Sequence, residues 1–187
     1  MSGKVREISP IELDSAIKEL VKPQDYSSRL EIRDVKKENL KRFLDDGGEF
    51  IELGRVGEKG YLGVFPHFEI KQLNYSLLYP GTIKAWHIHI KQDDVWFIPP
   101  ISRILVGLVD CRADSETKGV SMRFILGEGR AELLYIPRGV AHGLKNIQTI
   151  PGAMFYFVNQ HFSSVDTDEL RLPWNHFGHE FWEIKHG

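Results

Sequence analysis

The stretch KAWHIHIKQDD, residues 84–94, decides how this chain is read. Alternation through Trp86-His87-Ile88-His89-Ile90 fits an extended strand, with both histidines on one face and both isoleucines on the other. Two orientations are open. In one, the isoleucines pack in an outer layer and the histidines line an interior. In the other, the isoleucines face the core and the histidines face water. A polar interior face is costly in a small β-barrel unless a ligand uses it, so the first orientation carries a function and the second is ordinary surface.

The sequence around this stretch has a β texture. From Asp45 onward, short apolar or alternating runs (EFIELGRV, HFEIKQLNYSLLY, DVWFIPP, RILVGLVD, SMRFILGEG, ELLYIPRG, AMFYFVNQHF) are separated by Gly, Pro and Asp signals. Many short strands at this spacing predict an all-β sandwich or barrel. Residues 1–44 read as an N-terminal helical extension. Ser9-Pro10-Ile11-Glu12 carries the cap, first-turn proline and capping-box signals of a helix start, with Ile11, Ile17, Leu20 and Val21 as its apolar side and Pro23 as its end. VKKENLKRFL offers either a second short helix over about 36–44 or the start of a strand. The aromatic, histidine-rich tail LRLPWNHFGHEFWEIKHG is expected to pack across the barrel or at a dimer interface. Residues 45–187 then form the barrel with its tail, in a single domain overall.

Composition bounds the class. The chain has 187 residues, 42% apolar and 27% charged, which suits one soluble domain with a sizeable core. A net charge of −2 provides no electrostatic reason to expect nucleic acid or an acidic membrane as partner. The single cysteine, Cys111, suits a reducing compartment and is expected to pack as a small hydrophobe. The start MSGKVREISP lacks the pattern of a signal peptide, and no apolar run approaches the roughly 20 residues of a membrane span. A cytoplasmic protein is expected.

A second segment, YIPRGVAHGLKN, places Pro137, Gly139 and His142 as P-x-G-x-x-H. Pro and Gly make a tight turn there, and the chain returns as a strand carrying His142. With G-x5-H-x-H-x3-D from Gly81 to Asp93, this resembles the paired motifs of the cupin superfamily. The resemblance implies a double-stranded β-helix, a jelly-roll barrel with the histidines at its mouth. In metal-binding cupins such residues hold one divalent ion, so His87, His89, His142 and Asp93, or its neighbour Asp94, form a candidate transition-metal set.

Longer stretches resemble a narrower family. DDGGEFIE is similar to the D-x-R-G-x-F-x-E segment of dTDP-4-dehydrorhamnose 3,5-epimerases. QLNYSLLYPGTIKAWH is similar to their Q-x-N-x-S…G-x-x-R-G-L-H, with Gln72, Asn74, Ser76, Gly81 and His87 in register. DCRADSETKG matches D-x-R-x-x-S-x-T-x-G at Asp110, Arg112, Ser115, Thr117 and Gly119, and IPRGVAHG matches I-P-x-G-x-A-H-G. The likeness runs from about Asp45 to Trp174.

The resemblance implies a homodimeric, metal-free isomerase of dTDP-rhamnose or related polysaccharide biosynthesis, acting on a nucleotide-linked 4-keto-6-deoxy sugar. The ketone acidifies its neighbouring C–H bonds. A base removes the proton, an enolate forms, and an acid returns a proton to the opposite face. His87 matches the family's catalytic histidine, and an ordinary imidazole pKa of about 6.5 suits a base. Tyr156 matches the catalytic tyrosine if one inserted residue is allowed, and Phe155 takes the position otherwise. Lys84, at the position of the family's arginine, and His142 are the candidates to polarise the substrate. Asp110 is expected to orient a histidine, and Gln72, Asn74, His89 and Arg112 to bind substrate.

Several positions depart from the family pattern. Gly47, Leu77 and Pro80 stand at cationic positions, Asp94 falls close to where a lysine is expected, and His89 replaces a glutamine. The H-x-H segment also resembles nucleotide-sugar 3,4-ketoisomerases. The same residues are compatible with a metal-dependent cupin enzyme and with a non-catalytic sugar-binding barrel. Arg103, Arg123, Arg130, Arg138 and Arg171, with His161, His176, His179 and His186, read as surface residues.

Overall fold

The computed structural model describes residues 10–23 and 30–185. Ser9 and His186 lie outside them. The strands are β1 (Lys36–Asn39), β2 (Arg42–Asp45), β3 (Gly48–Ile51), β4 (Tyr61–Leu62), β5 (Phe65–Glu69), β6 (Gln72–Leu78), β7 (Ile83–Ile88), β8 (Asp94–Phe97), β9 (Arg103–Asp110), β10 (Ser121–Gly127), β11 (Glu132–Ile136), β12 (Val140–Asn146), β13 (Gly152–Val158) and β14 (Leu170–Arg171). Two five-stranded antiparallel sheets, ordered β1-β11-β8-β13-β6 and β10-β9-β12-β7-β14, make the expected jelly roll, with β2-β3 and β4-β5 as hairpins. No helix among the described residues is long and apolar enough to cross a membrane.

Apolar material is stacked in three layers. The central one lies between the sheets and draws Trp96, Leu134 and Met154 from one, and Ile104, Val106, Leu108 and Leu144 from the other. Outside the first sheet, Val95, Phe97, Leu133 and Phe157 are covered by Leu62, Phe65 and Phe68 from the β4-β5 hairpin. Outside the second, Trp86, Leu105, Val109 and Ala141 are covered by Phe177, Phe181 and Trp182 from the tail. Strand β9 is therefore buried on both faces, which is why RILVGLVD reads as one unbroken apolar run rather than an alternation.

The tail packs across the barrel. The indole nitrogens of Trp86 and Trp182 both donate to the carbonyl of Trp174 at 3.0 Å. Lys145 Nζ donates to the Trp182 carbonyl at 2.8 Å, and Arg123 Nε to that of Phe181 at 2.9 Å. Gly107 permits this approach: a Cβ there would lie 2.4 Å from Phe181 Cε1 and 2.8 Å from both Trp182 and Trp86.

The N-terminal extension differs from the sequence reading. Among the described residues its helix is one turn, Ser15–Lys18, capped by Asp14, and Ile11, Ile17, Leu20 and Val21 are exposed. Lys36–Asn39 is strand β1 on the edge of a barrel sheet, and 42–45 is half of a hairpin, so the barrel begins before residue 45. A short helix without an apolar face to bury gains too little to persist. The same residues gain a full ladder on β11, and Lys37 lays its ammonium 3.4 Å over the Phe124 ring.

Replacing the buried Trp182 by alanine is expected to cost about 3–5 kcal/mol in urea unfolding. Trp174→Ala, which keeps the shared carbonyl and removes a half-exposed ring, is expected to cost markedly less.

Candidate active site

Between the two sheets, at one end of the barrel, lies a cavity of about 610 Å³, within the range of small-molecule sites. His87 and His89 line it, while Ile88 packs with Trp86 beneath the tail. The histidines thus face the interior. Strand β12 sets His142 directly opposite His87 in the ladder. The turn before it has Gly139 at φ 79, a left-handed conformation that suits glycine, and the Gly139 amide donates to the His89 carbonyl at 2.7 Å. Ring centroids of His89 and His142 are 5.2 Å apart, those of His87 and His142 6.1 Å, and the Trp96 indole stands edge-on to His142 at 5.3 Å.

The tail supplies the partners of these imidazoles. Strand β14 pairs with β7, Leu170 opposite Ile88 and Arg171 opposite His87. This brings Glu169 Oε1 to 3.3 Å from His87 Nδ1, and Arg171 Nε donates to Glu169 at 2.9 Å. Burial pushes the His87 pKa down, with Arg171 adding to it and Glu169 opposing, so the ring is neutral near pH 7. Asp168 captures the loop after β7: its carboxylate accepts from the amides of Ile90, Lys91 and Gln92 at 2.9–3.0 Å. Its carbonyl lies 2.8 Å from His89 Nδ1. Glu169 and Asp168 line the cavity against the histidines, and the sequence reading missed both. They lie some eighty positions from the histidines, and the acidic run DTDE is their only local signal.

On the opposite wall, β13 alternates. Met154, Tyr156 and Val158 face the cavity, and Phe155 packs outward on Tyr75 at a centroid distance of 5.3 Å. Of the two aromatic candidates, Tyr156 is the one that faces the cavity. Burial, with Asp94 and Glu169, raises its pKa and keeps the hydroxyl protonated. Gln72 and Asn74 line the same cavity, joined by a 2.7 Å bond, and Lys84 Nζ donates to Ser76 Oγ at 2.8 Å.

The dTDP-4-dehydrorhamnose 3,5-epimerase pattern matches residues 29–181 of this sequence. The chain belongs to that family. It is 41% identical over 141 residues to the spore coat polysaccharide biosynthesis protein SpsL of Bacillus subtilis, covering 75% of this chain and 89% of that protein. It is 31% identical over 144 residues to the probable low-salt glycan biosynthesis epimerase Agl13 of Haloferax volcanii, covering 77% and 89%. The solved dTDP-4-dehydrorhamnose 3,5-epimerase of Bacillus anthracis, with TDP and PPi bound, superposes with a TM-score of 0.64 at 26% identity, covering 79% of this chain and 85% of that one. As a member of this epimerase family, the protein is an isomerase of nucleotide-sugar type.

Four expectations about this epimerase's site are corrected by the geometry. Asp110 does not orient a histidine. It accepts from Arg112 Nε and Nη2, both at 2.9 Å, from Thr117 Oγ1 at 2.7 Å and from Ser115 Oγ at 2.5 Å. Arg112 does not line the cavity either; it also bonds Asp34 and the Arg33 carbonyl, tying the N-terminal segment to the barrel. The D-x-R-x-x-S-x-T motif is thus a structural knot. Asp93 turns away from the cavity and is held by Asn159 and the Arg138 amide, since neighbours in an extended chain point to opposite faces. Asp94, fully buried, faces inward instead and joins His89 and His142, their ligand atoms all within 4.8 Å of one another. His87 stands outside that group. The fourth correction concerns His142. Burial and the neighbouring His89 push its pKa down to about 3, and its Nδ1 lies 3.0 Å from the Val140 carbonyl. A carbonyl only accepts, so the single proton sits on Nδ1, and Nε2 cannot donate to a substrate oxygen. Elsewhere, Arg171 and His161 line the cavity, and Cys111 is exposed rather than packed.

Burial raises the Asp110 carboxyl, but the bonds from Arg112, Ser115 and Thr117 outweigh it and hold the group well below the usual carboxylate range. A depressed folded pKa adds stability that is present above the unfolded value, about 3.9, and is lost as pH falls below it. Asp110→Asn is therefore expected to cost about 3 kcal/mol at pH 7, with the difference from wild type shrinking below about pH 4, in urea titrations. Ligand affinity of the folded variant stays unchanged.

Proposed function

We propose that this epimerase inverts one or more carbons beside the ketone of a nucleotide-linked 4-keto-6-deoxy sugar, within polysaccharide or glycan assembly. The observation that carries the reading is the placement of His87 and Tyr156 on opposite sheets around one cavity. Inversion needs proton removal from one face of a carbon and delivery to the other, and two groups on facing walls meet that need. The polysaccharide and glycan roles of SpsL and Agl13, and the TDP in the Bacillus anthracis structure, point to the same substrate class.

His87 is the base. Its contact with Glu169 holds the proton on Nδ1 and leaves Nε2 free to accept one from the C–H beside the ketone. As His87 becomes cationic, Glu169 stabilises it. Tyr156, kept protonated, delivers a proton to the opposite face of the enolate. Lys84 supplies positive charge to the diphosphate: it bonds a neutral hydroxyl, whereas Lys91 and Arg171 are engaged by Asp166 and Glu169. Gln72, Asn74 and His89 bound the sugar. A cytoplasmic location accords with the single free thiol, Cys111, and with a nucleotide-linked substrate. A homodimer accords with β6, an outer strand of its sheet that exposes Leu73, Tyr75 and Leu77 in alternation.

Deuterium incorporation from solvent into a dTDP-4-keto-6-deoxy sugar tests the chemistry. His87→Asn is expected to lower exchange by roughly 10²–10⁴-fold. Tyr156→Phe is expected to keep exchange on the base's face while losing inversion. Wild-type exchange rates in His87→Asn would refute the assignment. In sedimentation, Tyr75→Asp is expected to shift a dimer toward monomer; a monomeric wild type sinks the dimer reading.

A further inference from the structure

Hydrogen-bond donors and acceptors are unevenly divided in the cavity. At its floor lie His89, Asp94 and His142, all buried, with Gln92 and Trp96 beside them. The N–H groups of these side chains are already spent on the protein. His142 Nδ1 gives its proton to the Val140 carbonyl at 3.0 Å, and His89 Nδ1 gives its own to the Asp168 carbonyl at 2.8 Å. Trp96 Nε1 donates to Asp94 Oδ2 at 3.0 Å. Gln92 Nε2 donates to Asp94 Oδ1 at 2.8 Å, and the other proton of that amide is directed to His89 Nε2, 3.3 Å away. The floor can still offer lone pairs: those of His142 Nε2, the Asp94 oxygens and Gln92 Oε1. His142 Nε2 has no hydrogen-bond partner among the described residues, since Asp94 Oδ2 stands 3.9 Å from it. The side of the cavity that carries Asn74 of β6 and Lys84 of β7 is the reverse. Asn74 Oδ1 is taken by Gln72 Nε2, which leaves the Nδ2 protons of Asn74 to offer, and Lys84 spends one of its three ammonium protons on Ser76.

We infer that the floor binds hydroxyl groups of the sugar through His142 Nε2 and Asp94, and that the ketone oxygen faces Asn74 and Lys84. A ketone or enolate oxygen only accepts. Set against lone pairs at a buried floor, it would lose its hydrogen bonds to water without replacement. A hydroxyl donates, and so completes His142 Nε2 or Asp94. In a 4-keto-6-deoxy hexose the hydroxyl-bearing edge is C2–C3, because C4 is the ketone, C6 is a methyl group and C1 carries the nucleotide. That edge points to the floor, and the floor selects sugars that keep it. His142 and Asp94 are thus specificity-determining residues that read donors. His87 stays available for proton transfer, with Glu169 at its Nδ1. The sugar's orientation rests on the epimerase reading, whereas the division of donors and acceptors does not.

The test follows solvent-deuterium exchange by full-length wild-type protein, in buffer with chelator, into a dTDP-linked 4-keto-6-deoxy sugar and its 2-deoxy and 3-deoxy analogues. Each rate is divided by the same sugar's exchange in buffer alone, which removes differences in C–H acidity. At least one analogue is expected to lose more than about 200-fold in kcat/KM, beyond the cost of a missing apolar contact, because floor acceptors are then left unpaired. Smaller losses for both analogues overturn the inference. Asp94→Asn, checked for folding by circular dichroism, keeps the shape and puts a donor on the floor. It is expected to narrow the ratio of parent to analogue by about tenfold or more, whereas a merely structural role lowers all three rates alike and leaves the ratio unchanged. An unchanged ratio in the folded variant overturns the inference. A wild type that exchanges with none of the three sugars loses the substrate assignment instead. Calorimetric binding of the same sugars then reads the floor alone: weaker binding of a deoxy analogue keeps it, and equal affinities overturn it.

Discussion

The packing of Trp86 beneath the C-terminal aromatics is the contact on which the rest of the site depends. Trp86 is fully buried, with ring centroids of Phe177, Phe181 and Trp182 within 4.8–5.0 Å. Because strand side chains alternate, committing Trp86 and Ile88 to this outer layer turns His87 and His89 inward. The apolar area the aromatics remove from water offsets the cost of an interior face carrying imidazoles. The same segment starts at β14, directly after Asp168 and Glu169, and so sets both carboxylates against the histidines. One segment therefore both orients the histidines and provides their partners.

Charge in the cavity is managed by pairing and capture rather than by excess of one sign. Asp168 is spread over three backbone amides, Asp166 holds Lys91, and Glu169 lies between Arg171 and His87. Deeper in lie His142, whose pKa burial lowers, and Asp94, whose pKa burial raises. A buried site that disfavours both signs of charge is poor at stabilising an enolate by itself. Positive charge reaches the cavity from its Lys84 side.

Motif and role separate clearly in this family member. The D-x-R-x-x-S-x-T segment was as legible as the histidine segments, yet Asp110 and Arg112 serve the joint between the N-terminal segment and β9. A carboxylate flanked by an arginine and two hydroxyls in one loop satisfies itself locally, and sequence similarity does not reveal that. The aromatic ambiguity in AMFYFVN had the opposite character. Either register was acceptable as sequence, and only the covering of Phe155 by Tyr75 selected Tyr156 for the cavity.

The sequence by itself determined the β class and the two histidine segments, because alternation and turn residues are local properties of the chain, and the jelly roll followed from the resemblance those segments carry. Tertiary structure decided that 36–44 pairs as strand, that Asp94 and not Asp93 faces the histidines, that His142 presents a lone pair and not a proton, and that Glu169 supports His87. Each of these follows from which distant segment lies alongside, and from the burial that results. A contact across some eighty residues leaves no periodic trace in either partner.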